Sequence, residues 1–262
     1  MGSNPTLSAS LNEGHLLHTL PVVILPQVDY QKTWQLQLIF LESIIQNNYP
    51  GIFFILEHNP VFTLGRNGKP GHLLISEELL NEQGIALYEV ERGGDITYHG
   101  PGQIVGYPMV NLNFWKKDVH LFLRNLEETL IQFLSHFHLS AFRLPPYTGV
   151  WVNSDKPEKI AAIGIAVKKW VTYHGFALNI STDLKPFTFI IPCGIADKGV
   201  TSLSKIVERY FSKEERMIMK RRLMEEFSHI FSIPLKEIDP YPFEKWFLTQ
   251  DNATLLHEMN YS

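Results

Sequence analysis

The most informative stretch of this chain is Arg92-Gly93-Gly94-Asp95-Ile96-Thr97-Tyr98-His99-Gly100-Pro101-Gly102-Gln103. Apolar segments typical of strands flank it, 85–90 before it and 104–112 after it. Glycine permits positive φ and lets the backbone approach a ligand closely, whereas proline fixes its own φ. Adjacent glycines between two strands therefore predict a hairpin that walls a pocket.

The composition limits the class of protein. With 262 residues and 45% hydrophobic content, the chain is long enough for one large domain, or for a main domain with a small appendage. A net charge of -4 without a basic patch argues against nucleic acid as a partner. The apolar runs are short and interrupted by charges, so no membrane partner is expected.

The single cysteine narrows the chemistry further. One cysteine excludes an internal disulfide and a cysteine-based zinc cluster, so no metal site of that kind is expected. It also favours a reducing compartment, and we expect a cytoplasmic protein. Residues 1–20 lack an apolar signal core and contain no Lys or Arg, so they are interpreted as a flexible leader.

The periodicity of the chain predicts both helices and strands. Strands are expected at 21–26, 51–56, 149–152, 160–171 and 176–180, with a turn at 156–159. Helices are expected at 30–47 with an apolar side of Trp34, Leu38, Leu41 and Ile45, after Ser76 to about Gln83, from the cap Asp118 to Phe137, from the capping box of Ser212 and Glu215 to about Phe231, and from Pro242. Because these elements do not alternate strictly, the prediction is an α+β fold of mixed sheets packed with helices.

Two residues stand out as candidates for catalysis. Cys193 lies between a proline and a glycine in the segment 190–195, which places it in a loop, where reactive groups are more common than packing roles. It needs a nearby cation or base to act as a thiolate near neutral pH. Lys159 begins an apolar strand and could hold an ammonium at the rim of a pocket.

Other polar residues have equally good structural explanations. His99 and His174 each precede a glycine near a predicted strand end, and a lone histidine is more often structural than catalytic. Arg92 could pair with Asp95 across a turn. The segment 65–69, Gly-Arg-Asn-Gly-Lys, vaguely resembles a phosphate-binding loop but lacks the full spacing.

Four ordered motifs resemble the lipoyl(octanoyl) transferase family. The stretch from Arg92 to Gln103, followed by Gly106-Tyr107-Pro108, is similar to the family signature. The other three motifs resemble its central strands and its nucleophile loop: Lys159-Ile160-Ala161-Ala162-Ile163-Gly164, His174-Gly175-Phe176-Ala177-Leu178-Asn179, and Ile191-Pro192-Cys193-Gly194-Ile195 with Val200-Thr201-Ser202-Leu203. The match spans about residues 21 to 231, which leaves 232–262 as a C-terminal extension of the catalytic domain.

The resemblance implies a fold related to the biotin and lipoate protein ligases. It implies transfer of an octanoyl group from acyl carrier protein, without a cofactor, to a lysine of a lipoyl domain, the first step of endogenous lipoylation. The expected acceptors are the lipoyl domains of 2-oxoacid dehydrogenase complexes and the glycine cleavage H protein. Cys193 would be the acyl-thioester nucleophile and Lys159 the residue that tunes it. The substrate-binding segments would be Arg92, Gly93, Gly94, Asp95, Ile96, Thr97, Tyr98 and His99, then Ala162, Ile163 and Gly164, then Gly175, Phe176 and Ala177.

Three other functions remain open from the residues alone. An ATP-dependent lipoate or biotin ligase on the same fold would need a phosphate-binding loop instead of a nucleophilic cysteine. A cysteine hydrolase would favour a Cys-His-Asx set over Cys193 with Lys159. A non-catalytic acyl-binding or domain-binding protein would need neither residue.

Overall fold

The computed structural model describes residues 18–153, 155–191, 198–251 and 255. The strands are β1 Leu20–Val28, β2 Gly51–His58, β3 Val61–Leu64, β4 Ala86–Glu89, β5 Ile96–His99, β6 Gln103–Val110, β7 Ala141–Leu144, β8 Tyr147–Asn153, β9 Pro157–Lys168, β10 Val171–Asn179, β11 Gly199–Val200 and β12 Leu235–Glu237. The helices are α1 Tyr30–Asn47, α2 Glu77–Glu82, α3 Val119–Ser135, α4 Leu203–Ile206, α5 Lys213–Phe231 and α6 Tyr241–Thr249.

The strands form one large sheet and one small sheet. The large sheet has the order β12-β1-β2-β6-β10-β9-β8-β7, with β11 added beside β9, and the small sheet has the order β4-β3-β5. Strands β6, β9 and β10 lie at the centre of the large sheet and are antiparallel to one another where they pair. The predicted α+β fold of mixed sheets with helices is confirmed.

The large sheet is covered on both faces. One face packs against α3 and α5 through an apolar core that includes Phe53, Phe133 and Phe227. The other face packs against α1 and α6 through a second core that includes Phe54 and Phe243. The small sheet lies on this second side, where Tyr30 of α1 stacks on Tyr88 of β4 with ring centroids 5.9 Å apart. Across the described residues, no helix combines the length and the apolar character that crossing a bilayer requires.

The helix caps follow from their sequence. Asp29, Asp118 and Ser212 each accept a hydrogen bond from a backbone amide in the first turn of α1, α3 and α5, and Glu215 completes the capping box of α5. The predicted helix 30–47 is confirmed, and its predicted apolar side is partly right, because Leu41 is buried and Trp34 and Ile45 pack against the apolar clusters. Leu38 is exposed, and the face turned to the sheet carries Tyr30, Thr33, Leu36, Gln37, Phe40, Leu41 and Ile44.

The hairpin predicted around residues 92–103 is also wrong. The segment 86–89 and the segment 103–110 lie in different sheets, and β5 forms inside the glycine-rich stretch and pairs with β3. The stretch therefore crosses from the small sheet to the large sheet. A glycine-rich turn between two strands does not by itself specify that those strands pair.

Two further boundaries differ from prediction. Residues 157–159 belong to β9 instead of a turn, because β9 pairs with Asn153, Val152 and Trp151 of β8. The strand predicted over 160–171 ends at Lys168. Lys169 and Trp170 both have positive φ and form the hairpin turn that connects β9 to β10. As a result, His174 lies inside β10 and not near a strand end.

The first and the last described strands, β1 and β12, pair at one edge of the large sheet. Residues 1–17 of the expected leader lie outside the described residues, and Leu20 already begins β1. From the segment set apart as a C-terminal extension, β12 pairs in parallel with β1, and α6 buries Phe243 and Trp246. Residues 235–249 therefore complete the sheet and its cover.

Candidate active site

A cavity that is partly open to solvent lies between the two sheets. Its floor is the central part of β6, β9 and β10, and its roof is β5 with the loop at 92–95. The residues that line it are Tyr30, Arg92, Gly93, Gly94, Asp95, Thr97, His99, Val105, Tyr107, Ala162, Ile163, Gly164, His174, Gly175, Phe176 and Ala177. The three predicted binding segments, 92–99, 162–164 and 175–177, therefore border one space together with Tyr30, Val105, Tyr107 and His174.

The floor of the cavity is built from very small residues. Gly164 pairs in register with Gly175, and Ala162 pairs with Ala177. The roof descends onto this floor because the Gly93 amide donates a hydrogen bond to the carbonyl of Ile165 at 2.9 Å. A Cβ atom at Gly164 would lie 2.7 Å from the carbonyl oxygen of Gly93, so only glycine fits there without moving the loop.

The loop at 65–68 is hydrogen-bonded to the loop at 92–95, which forms part of the roof of the cavity. The amides of Gly65, Arg66 and Asn67 donate to the carbonyls of Asp95, Arg92 and Gly94, and the Gly68 amide donates to Gly65. All four amides are therefore engaged by backbone oxygens. The segment weakly resembles a phosphate-binding loop, but such a loop needs backbone amides that point at the ligand, and these four amides donate to backbone oxygens instead.

Arg92 makes a different contact from the one considered in the sequence. Its guanidinium donates to the hydroxyl and the carbonyl oxygen of Thr63 on β3, at 2.8 Å and 2.6 Å from Nη2. Asp95 pairs with His72 instead. Arg92 and Asp95 therefore do not pair with each other as suggested. Arg92 attaches the roof loop to the small sheet through Thr63, and Asp95 attaches it to the segment before α2 through His72.

The side chains of β5 alternate between the cavity and the core of the small sheet. Thr97 and His99 line the cavity, whereas Ile96 and Tyr98 pack in an apolar cluster with Phe62. Ile96 and Tyr98 are thus absent from the cavity lining, and this follows from the period of two along a strand. The remaining twelve predicted substrate-binding residues all line the cavity.

His99 connects the cavity to the end of β10 through a chain of polar contacts. Its Nδ1 lies 2.8 Å from Oε1 of Gln103, whose amide donates to Asn179 at 2.9 Å, and Asn179 donates to the carbonyl of Thr201 at 3.0 Å. Burial, reinforced by the nearby His58 and Arg92, holds the pKa of His99 well below its ordinary value. His99 is therefore neutral at physiological pH.

Lys159 lies beside the cavity at the beginning of β9. It is 7% exposed, and its Nζ lies 3.3 Å from the Thr148 carbonyl and 4.9 Å from the centre of the Trp151 ring. A small adjoining pocket contains Lys159 together with Thr97, Ala162 and Ala177, which also line the main cavity. The ammonium of Lys159 is therefore close to the same walls.

Cys193 lies outside the described residues. On one side of it, the Ile191 amide donates to the carbonyl of His72 at 2.8 Å. On the other side, Val200 pairs in register with Lys159, and the Thr201 amide donates to the Lys159 carbonyl at 3.0 Å. The chain that carries the cysteine therefore returns to the sheet at Lys159.

Sequence reasoning missed Tyr30, Val105 and Tyr107 in the cavity wall and assigned no function to His174. Tyr30 lies outside every motif and reaches the cavity only through the tertiary fold, whereas Tyr107 stands within the quoted signature and was not singled out there. His174 had one usable signal, its position directly before Gly175. It has a φ of 56° and is 1% exposed, and within the described part of the chain neither ring nitrogen has a hydrogen-bond partner.

The sequence matches the family described as the lipoyl protein ligase A/B catalytic domain over residues 29–228. It is 44% identical over 219 residues to an octanoyltransferase of Caldanaerobacter subterraneus, covering 83% of this chain and 92% of the relative. It is 42% identical over 225 residues to an octanoyltransferase of Cytophaga hutchinsonii, covering 80% and 91%.

Solved structures share the fold at low sequence identity. A bipartite lipoate protein ligase from Thermoplasma acidophilum, described with its E2 lipoyl domain, superposes with a TM-score of 0.65 at 15% identity, covering 93% of this chain and 98% of the other. A lipoate-protein ligase A bound with ATP gives a TM-score of 0.64 at 15% identity, covering 91% and 99%. The sequence relatives go further than the fold, and they show that this chain is an enzyme that belongs to the octanoyltransferases of the lipoyl protein ligase A/B catalytic-domain family.

Proposed function

We propose that this enzyme takes an octanoyl group from acyl carrier protein, holds it as a thioester on Cys193, and passes it to a lysine of a lipoyl domain. The observation that carries the proposal is the shared wall between the cavity and Lys159. Thr97, Ala162 and Ala177 line both spaces, so an acyl chain in the cavity has its reacting end within reach of a buried ammonium.

The first half-reaction is an exchange of thioesters. The Cys193 thiolate attacks the octanoyl carbonyl, a new carbon–sulfur bond forms, and the carbon–sulfur bond to the carrier breaks to release its thiolate. The two thioesters have nearly the same energy, so no ATP is required. Lys159 supports this step as a cation that stabilises the attacking thiolate.

The second half-reaction transfers the acyl group to nitrogen. The amine of the acceptor lysine attacks the Cys193 thioester, the carbon–nitrogen bond forms, and the Cys193 thiolate leaves. Lys159 gives its proton to the departing carrier thiolate, and the neutral amine of Lys159 then accepts the proton released by the acceptor lysine; His99 is also unprotonated, but its low pKa makes it the weaker base. The backbone amides of the roof loop are candidates for stabilising the oxyanion.

The cavity supplies the apolar binding energy. The small methyl groups of Ala162 and Ala177 leave room above the floor for an extended chain, and Gly164 lets the roof loop come down beside that chain. Burial of an octanoyl tail in such a slot contributes up to about 5 kcal/mol, since each methylene contributes about 0.8 kcal/mol. The depth of the slot would then set the preferred chain length.

The ATP-dependent ligase is the second candidate because a neighbour of the same fold binds ATP. Against it, the amides of residues 65–68 all donate to backbone oxygens in this chain. The hydrolase and the non-catalytic binding protein receive no support from the relatives, which are named octanoyltransferases.

The test is transfer of octanoate to a purified lipoyl domain in the absence of ATP. We expect transfer by the wild type and none by Cys193→Ala. Lys159→Met, which keeps much of the stem, should lose transfer and slow the alkylation of Cys193 by iodoacetamide at neutral pH. Full transfer by Cys193→Ala would contradict the covalent route, and a requirement for ATP would favour the ligase.

A further inference from the structure

Trp151 and Lys159 lie side by side on neighbouring strands. They pair in register between β8 and β9, directly after a shift in the register of the two strands. Val150 and Val152 belong to the core that packs against α3 and α5, so Trp151 between them projects from the opposite face of the sheet. The indole ring therefore lies on the face that carries the Lys159 ammonium.

Two described contacts of this ammonium differ in kind. Its Nζ lies 4.9 Å from the centre of the Trp151 ring and 3.3 Å from the carbonyl oxygen of Thr148. A carbonyl oxygen accepts a hydrogen bond from a charged ammonium and also from a neutral amine. The face of an aromatic ring attracts the charged form, because its negative quadrupole acts on a cation. The ring contact therefore depends on the charge of Lys159, whereas the carbonyl contact survives the loss of that charge.

The peptide group between Thr148 and Gly149 is held from its other end. The Gly149 amide donates to Oε1 of Glu127 at 3.1 Å, and that side chain of α3 is fully buried. Gly149 has a φ of 122°, and a Cβ there would lie 2.6 Å from the Ala161 carbonyl and 3.5 Å from Cε of Lys159. Only glycine lets the chain bring the Thr148 carbonyl this close to Lys159 without displacing its neighbours.

Trp151 is an expensive residue for a position where a side chain has only to fill space. It is 1% exposed, and within the described part of the chain its Nε1 makes no hydrogen bond. A buried donor without a partner destabilises the fold, and phenylalanine or leucine would fill the space without that penalty. The electron-rich face of the indole is stronger than that of phenylalanine and absent from leucine, and it is this face that Lys159 contacts.

We propose that Trp151 is a positioning residue, which holds Lys159 while Lys159 is charged and releases it once it is neutral. The inference rests on the proposed function, in which Lys159 is first a cation beside the Cys193 thiolate and later a neutral amine. When Lys159 gives its proton to the departing carrier thiolate, the attraction to the ring is lost and the hydrogen bond to the Thr148 carbonyl remains. The amine can then turn away from the ring and toward the acceptor lysine.

Fluorinated tryptophans inserted at position 151 test the proposal with little change in the shape of the side chain. Each fluorine withdraws electron density from the ring and weakens its attraction for a cation. A less firmly held ammonium stabilises the Cys193 thiolate less, so both alkylation by iodoacetamide at neutral pH and loading from octanoyl-acyl carrier protein should slow as fluorines are added. For the most fluorinated ring we expect a fall of about tenfold in both rates, with little change in unfolding by urea.

Two controls separate the ring from its surroundings. The same analogues at Trp246, which is buried in α6, should leave both rates unchanged. In the Lys159→Met background, fluorination at Trp151 should not alter the alkylation rate, because the cation on which the ring acts is gone.

Rates that stay constant along the fluorine series would overturn the proposal, and Trp151 would then serve packing alone. An equal fall at Trp246, or in the Lys159→Met background, would also overturn it, because the effect would not pass through the ammonium. Failure of the wild type to load octanoate on Cys193 would instead count against the proposed function, so the two failures are distinguishable.

Discussion

Glu57 and His174 are both buried polar residues of the large sheet, yet their surroundings are opposite. Glu57 on β2 accepts hydrogen bonds from Nε and Nη2 of Arg216, each at 3.1 Å, and from the Gly102 amide at 2.8 Å. His174 on β10 has no described hydrogen-bond partner for its ring, and the nearest carboxylate oxygen, on Glu91, lies 3.6 Å from Nε2.

The difference separates residues that hold the fold from residues that serve the site. Glu57 connects β2, α5 and the end of the glycine-rich stretch, and each partner lowers the cost of burying its charge. His174 has a strained backbone beside the cavity, and its ring makes no described hydrogen bond and one longer contact, with Glu91 at 3.6 Å; this combination costs stability and recurs at binding sites. The four predictions that follow test this contrast, from the largest expected change in stability to the smallest.

Removal of Glu57 should have the largest effect. Burial alone would raise the pKa of Glu57, but the hydrogen bonds from Arg216 and the charge of Lys220, 3.6 Å away, bring it below its ordinary value. Glu57→Ala leaves both cations buried without their carboxylate, so we expect a loss of about 3–5 kcal/mol in the free energy of unfolding, measured with urea.

An exposed ion pair provides the control. Arg221 and Glu237 are both largely exposed and lie 2.9 Å apart. Glu237→Gln should cost less than about 1 kcal/mol. Equal losses in Glu57→Ala and Glu237→Gln would show that the buried cluster is not a structural centre.

The stability of the protein should fall between pH 6.5 and pH 4. The Val28 carbonyl can only accept, so Nδ1 of His58 donates to it, and Nε2 accepts from the Tyr107 hydroxyl at 2.7 Å. Burial lowers the pKa of His58 from 6.5 to about 4, so the unfolded chain binds the proton first as the pH falls. Stability is therefore complete above pH 6.5, and about 3 kcal/mol is lost by pH 4 through this residue.

A variant without this titration isolates the contribution of His58. Urea unfolding of His58→Gln at the same pH values keeps every other histidine. We expect the advantage of the wild type over the variant to shrink by about 3 kcal/mol from pH 7 to pH 4. Parallel curves for the two proteins would mean that His58 is not the residue responsible.

Gly164→Ala should displace the roof of the cavity at a moderate cost. The new methyl would lie 2.7 Å from the Gly93 carbonyl and 3.2 Å from Cδ of Arg92, so the loop must move away from β9. We expect a loss of about 1–3 kcal/mol and slower loading of octanoate, followed by mass spectrometry. Gly71→Ala is the control, because a Cβ there has no neighbour within 4 Å. Normal loading by Gly164→Ala would contradict the placement of the acyl chain on this floor.

His174→Phe should change stability least. Phenylalanine keeps a ring of similar bulk and removes two nitrogens that make no described hydrogen bond and one longer contact, with Glu91 at 3.6 Å, so the free energy of unfolding should stay within about 1 kcal/mol or rise. Loading of octanoate should nevertheless fall, since the ring lines the cavity. A loss of stability as large as that of Glu57→Ala would place His174 among the structural residues.

The local parts of this molecule could be predicted from sequence. The caps Asp118 and Ser212 mark helix starts because a side-chain oxygen satisfies a free amide there, and residues 51–56 of β2 form an apolar run because the strand is buried on both faces. Twelve of the predicted binding residues line one cavity because the motifs that carry them form its walls. The resemblance to a known family supplied those motifs, not the residue spacing alone.

The remaining parts depend on pairing between distant segments. Residues 92–103 cross between sheets because β5 pairs with β3, a choice that no local pattern specifies. On α1, the polar Gln37 is buried and the apolar Leu38 beside it is exposed. Gln37 accepts a hydrogen bond from the distant amide of His174, a contact that the helical pattern alone does not reveal. Tyr30 and Tyr107 line the cavity because the packing of distant segments brings them there.

The central claim is that an octanoyl thioester forms on Cys193 with its chain in the cavity between the sheets. The direct measurement is intact-mass analysis with peptide mapping after the enzyme is mixed with octanoyl-acyl carrier protein. We expect one octanoyl group on the Cys193 peptide of the wild type, and none after the change Cys193→Ser. An octanoyl group on another residue, or no adduct while transfer to the lipoyl domain proceeds, would contradict it.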